Sequence, residues 1–274
     1  MIYDDTQCQL GEGPLWHPTR GQLFWFDILG QRLHTRTQHW QFDTYVSAAG
    51  WVDDTTLIVA SARALHRFDI TTGDHREICA LDADNAATRS NDGRADPQGG
   101  FWIGTMGINA EDGAGAIYRY YKGALRRLFA PITISNAICF APDGKTAYFT
   151  DTPTQKIMRV GLDADGWPLG DPVLHIDLRG TDLRPDGAVV DAAGNLWNAQ
   201  WGAGRVAGYG PDGRFIAAYH FAARQTSCPA FGGPDFQSLF CTSAAVGLPR
   251  DDTQGKTFQT QTNITGQPEH RVTL

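Results

Sequence analysis

The chain has little of what marks a membrane, nucleic-acid-binding or disulfide-stapled protein. Its five cysteines (Cys8, Cys79, Cys139, Cys228 and Cys241) are odd in number and form no CxxC pair, which excludes a disulfide framework and a zinc knuckle. Cys139 and Cys241 lie in apolar, strand-like runs and read as core thiols. Positive charge is scarce: 23 Lys and Arg stand against 30 Asp and Glu, and no basic stretch occurs. That balance argues against nucleic acid and anionic membranes as partners and leaves small neutral ligands and cations. No apolar run reaches the roughly 20 residues of a membrane helix. The start, MIYDDTQCQL, has neither the basic nor the apolar part of a signal peptide, so the cytoplasm is the expected location. A GxSxG elbow is missing, and the eight histidines form no HxH or HExxH pair. These absences exclude a serine-hydrolase elbow and a His-rich metal centre. With no linker or charge run to divide them, residues 1–274 read as one domain.

What the chain does have is a repeat. Short apolar segments recur as LFWFD at 23–27, LIVAS at 57–61, FWIGT at 101–105, AYFTD at 147–151, LWNAQ at 196–200 and LFCTS at 239–243. Their starts lie 34, 44, 46, 49 and 43 residues apart. Alternation and turn pairs dominate over helical periodicity. A period near 45 residues with this chemistry predicts an all-β, six-bladed β-propeller, because one four-stranded blade cannot bury its own faces. Taken as the first strand of each blade, these segments are followed by second strands such as AGAIYRYY at 114–121, QKIMRVGL at 155–162 and GRVAGYG at 204–210. KTFQTQTNI at 256–264 alternates like a strand, and the two ends of the chain are expected to meet there and close the ring.

About ten residues upstream of four apolar segments lies a polar residue in a shared register: Glu12, Asn91, Asn136 and Asp186. The second repeat offers only AAGWVD there and the sixth SCPAF. In a propeller this register faces one end of the central channel, so two carboxylates and two amides converge. Such an oxygen-rich set calls for one divalent cation, Ca²⁺, Mg²⁺ or Mn²⁺ or, less selectively, Zn²⁺ or Fe²⁺. The Asp–Gly pairs beginning at Asp112, Asp143, Asp165 and Asp212 read instead as plain turns. Glu12 does not, because Glu is a poor turn residue and this one sits between two glycines before an apolar run.

The runs LGEGPLWHPTRGQLFWFDI, RSNDGRADPQGGFWIGTM, ISNAICFAPDGKTAYFTDT and RPDGAVVDAAGNLW resemble, in order, the SMP-30/gluconolactonase/regucalcin family, and GAIYRYYKG is similar to its bacterial sugar-lactonase branch. The resemblance implies a propeller holding one divalent metal and opening a sugar-acid lactone. It implies Glu12, Asn136 and Asp186 as metal ligands, Arg89 and Asn91 as the grip on substrate oxygens, and Asp186 as the base between metal and substrate. Asp151, ending a strand near the same mouth, is a second candidate base. Some family members place a substrate-binding glutamate after the GTM motif; GTMGINAEDG offers Asn109 or Glu111.

The leading expectation is therefore a metal-dependent lactonase acting on an aldonolactone. One alternative is an esterase, organophosphate hydrolase or calcium-binding regulator on the same fold. Another is a non-catalytic interaction scaffold, which has no need of Glu12, Asn136 and Asp186 in one register.

Overall fold

A computed structural model describes residues 1–249 and 251–274. The chain forms six four-stranded antiparallel sheets, the six blades of a β-propeller. The innermost strands, in blade order, are Gly11–His17, Val46–Asp53, Thr88–Ala95, Ser135–Phe140, Arg184–Val190 and Thr226–Gly232. Neighbouring inner strands pack against each other around the axis.

The apolar repeat marks the second strand of every blade, not the first: Gln22–Asp27, Thr56–Ser61, Phe101–Gly107, Thr146–Asp151, Leu196–Trp201 and Ser238–Ser243. The segments expected to be second strands are accordingly third ones. The physical reason is burial. A second strand is covered on both faces by neighbouring blades and reads as a continuous apolar run. An inner strand lines a polar channel and is interrupted, so its alternation is hidden. Six apolar clusters fill the six wedges between blades. Between blades 1 and 2, for example, Phe24, Phe26 and Leu33 meet Val46, Leu57 and Phe68. Truncating such an aromatic to alanine costs about 3–5 kcal/mol.

Ring closure follows the expectation. The strand Ile2–Asp4 pairs with Thr257–Gln261 and becomes the outer strand of blade 6, whose other strands come from the far end of the chain. Residues 262–274 then cross to other blades. Gln267 Nε2 donates to the carbonyls of Phe140 and Val190, Glu269 pairs with buried Arg94, and Val272 packs among Ala48, Val52 and Phe101. The four Asp–Gly turns also behave as read, each glycine having φ between 63° and 83°.

Candidate metal and substrate site

Pairing to the second strands fixes the register across blades. Gly11 faces Asp27, Val46 faces Ser61, Ser90 faces Thr105, Ser135 faces Asp151, Pro185 faces Gln200 and Thr226 faces Ser243. The next residue on each inner strand is therefore Glu12, Ser47, Asn91, Asn136, Asp186 and Ser227. The shared position foreseen in four blades exists in all six. Each inner strand loses regular pairing at this level. Such a bulge re-aims a side chain, and here it marks the rim of the channel. After Glu12 and Asn136 the chain turns through positive φ, 52° at Gly13 and 55° at Ala137.

The two serines went unread because small hydroxyls in AAG-rich and SCPAF-like stretches carry no sequence signal. Ser47 Oγ donates to Ser90 Oγ at 2.8 Å, and Ser227 Oγ donates to the Gly11 carbonyl at 2.5 Å. Both hydroxyls tie neighbouring inner strands together.

The remaining four share a cavity of about 240 Å³ with Arg89, Thr152, Trp201 and an apolar wall of Leu10, Met106, Ile134 and Val246. Glu12 and Asp186 are each only 5% exposed. Glu12 Oε2 accepts the Gly13 N–H at 3.0 Å. Asn91 Nδ2 donates to Asn136 Oδ1 at 3.2 Å and to the Ser135 carbonyl at 2.9 Å, while Asn136 Nδ2 donates to Thr152 Oγ1 at 3.0 Å. Both amide nitrogens are thus engaged as donors, and Asn136 Oδ1 accepts from Asn91. Arg89 Nη1 donates to Asn91 Oδ1 and to the Ser90 carbonyl, both at 2.8 Å.

The electrostatics are those of a site rich in negative charge. Burial, followed by the charge of Asp92, pushes the Glu12 carboxyl up to about 8. Burial, followed by Glu12 and Asp92, holds Asp186 well above the usual carboxylate range. Asp92, next to Asn91 on the same strand, accepts the Ile138 N–H at 2.7 Å and is raised to about 6, again mainly by burial. Arg89 is the cation on the cavity wall, and burial lowers it to about 10. Two ionised carboxylates sharing one buried cavity with one guanidinium are under-compensated, which suits a divalent cation. The donors are carboxylate and amide oxygens. No cluster of three or more His, Cys, Asp or Glu side chains placed for a metal occurs among the described residues.

Three candidates, Asp151, Asn109 and Glu111, are not brought to this cavity. Asp151 Oδ1 accepts the Ile134 N–H at 2.9 Å, and its side chain lines a separate groove with Phe129 and Lys156. Asp27, at the equivalent point of blade 1, makes the same bond to the Leu10 N–H at 3.0 Å. The strand-end aspartate is a backbone cap used twice. Glu111 is exposed and folds back to accept the backbone and side-chain N–H groups of Asn109 at 3.0 and 2.9 Å. Neither Asn109 nor Glu111 reaches the cavity wall.

Known proteins resemble this chain over nearly its whole length. The chain is 41% identical to a proposed sugar lactone lactonase of Rhizobium meliloti (strain 1021) over 97% of its own length and 94% of that protein's. It is 35% identical to an L-arabinolactonase of Azospirillum brasilense, covering 90% of this chain and 85% of the other. The crystal structure of a calcium-binding regucalcin from Agrobacterium tumefaciens superposes with a TM-score of 0.97 at 41% identity, covering 100% of this chain and 97% of that one. The SMP-30/Gluconolactonase/LRE-like region matches residues 10–245, and the chain belongs to that family.

Proposed function

We propose that this protein is a metal-dependent lactonase that opens a neutral, sugar-derived lactone to the free hydroxy acid. The observation that carries this reading is Glu12, Asn136 and Asp186 at one register position of three inner strands, on the same buried cavity as Arg89 and Asn91. Glu12, Asn136 and Asp186 would hold the ion. Their oxygen-only donor set favours a hard cation such as Ca²⁺, and the relative described as calcium-binding supports that choice. When bound, the ion supplies Lewis-acid polarisation of the lactone carbonyl.

The cavity is smaller than the roughly 300–1,000 Å³ typical of drug-sized ligands, which suits a single small ring. Arg89 and the Asn91 amide hold the ring's oxygens, and the apolar wall keeps bulk water from the reacting face. Asp186 takes a proton from the water that attacks the carbonyl carbon. A C–O bond forms to that water, the ring acyl C–O bond breaks, and the proton passes to the leaving ring oxygen. Burial raises the Asp186 carboxyl in the metal-free chain, and a bound ion would offset that rise.

The test is acid release from a panel of lactones, with metal-stripped protein and with each divalent ion restored. Stripped protein should be inactive and should recover with an ion. Glu12→Gln and Asp186→Asn should lose metal in elemental analysis, whereas Arg89→Ala should keep metal and raise KM. Full metal content in both carboxamide variants refutes the ligand assignment. Faster turnover of phosphotriesters than of any lactone refutes the substrate class.

A further inference from the structure

One side chain in the blade-5 wall breaks the pattern of the fold. The third residue of the apolar repeat is Trp25, Val59, Ile103, Phe149 and Cys241 in five blades, all apolar and at most 5% exposed. In blade 5 it is Asn198, with no exposed surface. Burying an amide where a hydrocarbon would pack is unfavourable unless its polar atoms find partners. Asn198 Nδ2 finds two: it donates to the carbonyls of Asp186 at 2.8 Å and Gly187 at 3.1 Å. Those two carbonyls belong to the bulge. Pro185 pairs with Gln200 and Ala188 with Asn198, so Asp186 and Gly187 together oppose the single residue Ala199. The amide orientation follows from its partners, because two carbonyl acceptors need the nitrogen. Asn198 Oδ1 meanwhile has no hydrogen-bond partner among the described residues. A buried amide that leaves its own oxygen unsatisfied, in order to hold two bulge carbonyls, is costly to packing and fixes the backbone on which Asp186 stands.

We propose that Asn198 is a positioning residue for Asp186: by clamping the carbonyls of Asp186 and Gly187 it fixes the direction of the Asp186 carboxylate and so sets metal affinity. This rests on the reading of Asp186 as a metal ligand. Cys228 sets the other side of the bulge, since a Cβ on Gly187 would lie 2.3 Å from Cys228 Sγ. The bulge is therefore gripped between an amide and a thiol, but the amide alone bonds both of its carbonyls.

The test is Asn198→Val beside Asn198→Thr. Val already occupies this position in blade 2, so the fold tolerates it. Thr has the same shape and can retain one donor. Titration calorimetry of metal-stripped protein with Ca²⁺ should show the dissociation constant rising about 10–100-fold for Val, the range found for partners that orient metal ligands, and by less for Thr. Ile103→Val, at the same position in blade 3, is the packing control: it should lower the melting temperature and leave Ca²⁺ affinity unchanged. Wild-type Ca²⁺ affinity in Asn198→Val overturns the proposal, whatever its melting temperature. Should Val fail to fold, Asn198→Thr decides: weaker binding than wild type supports the clamp, and equal binding overturns it. If Asp186→Asn keeps its metal, the ligand reading has failed. If Asp186→Asn loses metal while Asn198→Val does not, only the clamp has failed.

Discussion

Metal should enter this site in exchange for protons. Burial and Asp92 raise Glu12 to about 8 in the metal-free protein, and Asp186 is also held high. At pH 7 the Glu12 carboxyl is then protonated over ionised by about 10 to 1, and at pH 6 by about 100 to 1. An ion requires the carboxylate, so its apparent affinity should rise about tenfold from pH 6 to pH 7 through Glu12 alone, and more steeply if Asp186 also gives up a proton. The stability of the metal-free fold should run the other way. A carboxyl raised above its unfolded value contributes stability that is complete below about pH 4.5 and is lost as pH rises through about 8. Metal-free protein should therefore melt lower at pH 8 than at pH 5.5 as far as this group decides, and metal should raise the melting temperature most at pH 8. The assay is calorimetric Ca²⁺ titration from pH 5.5 to 8.5 in buffers of differing ionisation enthalpy, which counts the protons released. Affinity independent of pH across that range, with no proton release, would refute the reasoning.

Two further outcomes follow from the cavity and its surroundings. Asp151→Ala removes one cap on the Ile134 N–H and should cost about 1 kcal/mol, a fall of about 2–4 °C in Tm, with metal content and kcat unchanged; a collapse of turnover with metal retained would restore Asp151 as the base. A lactone carrying a phosphate or sulfonate should have a kcat/KM about tenfold below its neutral parent, since Arg89 is the one cationic side chain on the wall and no further cation is there to pair with the substituent. Steady-state kinetics on matched pairs checks this, and equal turnover would show a second cationic contact.

The six-blade plan was legible because second strands are buried on both faces, and segments such as LFWFD and FWIGT announce that. The inner strands were misplaced by one because their pattern is broken where they bulge. Glu12 stood out in sequence through its oddity between two glycines, and Asn91, Asn136 and Asp186 through their common offset from the repeat. Ser47 and Ser227 share that offset in space, but nothing in a serine's local sequence distinguishes a channel position from any other. Asp151 misled for a related reason. A strand-end aspartate near the mouth has the right chemistry, and only the 2.9 Å bond to Ile134 shows its carboxylate committed to backbone. Asn198 was printed plainly in LWNAQ, yet its meaning depends on knowing which atoms lie beneath it.

The closing strand Ile2–Asp4 lies in blade 6, and blade 6 stands between blade 5, which bears Asp186, and blade 1, which bears Glu12. The seam of the ring thus falls between the two carboxylates. With the seam open, Glu12 and Asp186 are tethered only through the long way round the chain, and bringing them together costs loop entropy. With it shut, Ser227 Oγ bonds the Gly11 carbonyl and the carboxylates share one cavity. An ion held between them would act as a latch on the seam. At a concentration 100 times its dissociation constant it would favour the closed ring by about 2.7 kcal/mol. Metal occupancy would then report on whether the two ends of the chain have found each other, and a change in the first four residues would be felt at the channel mouth.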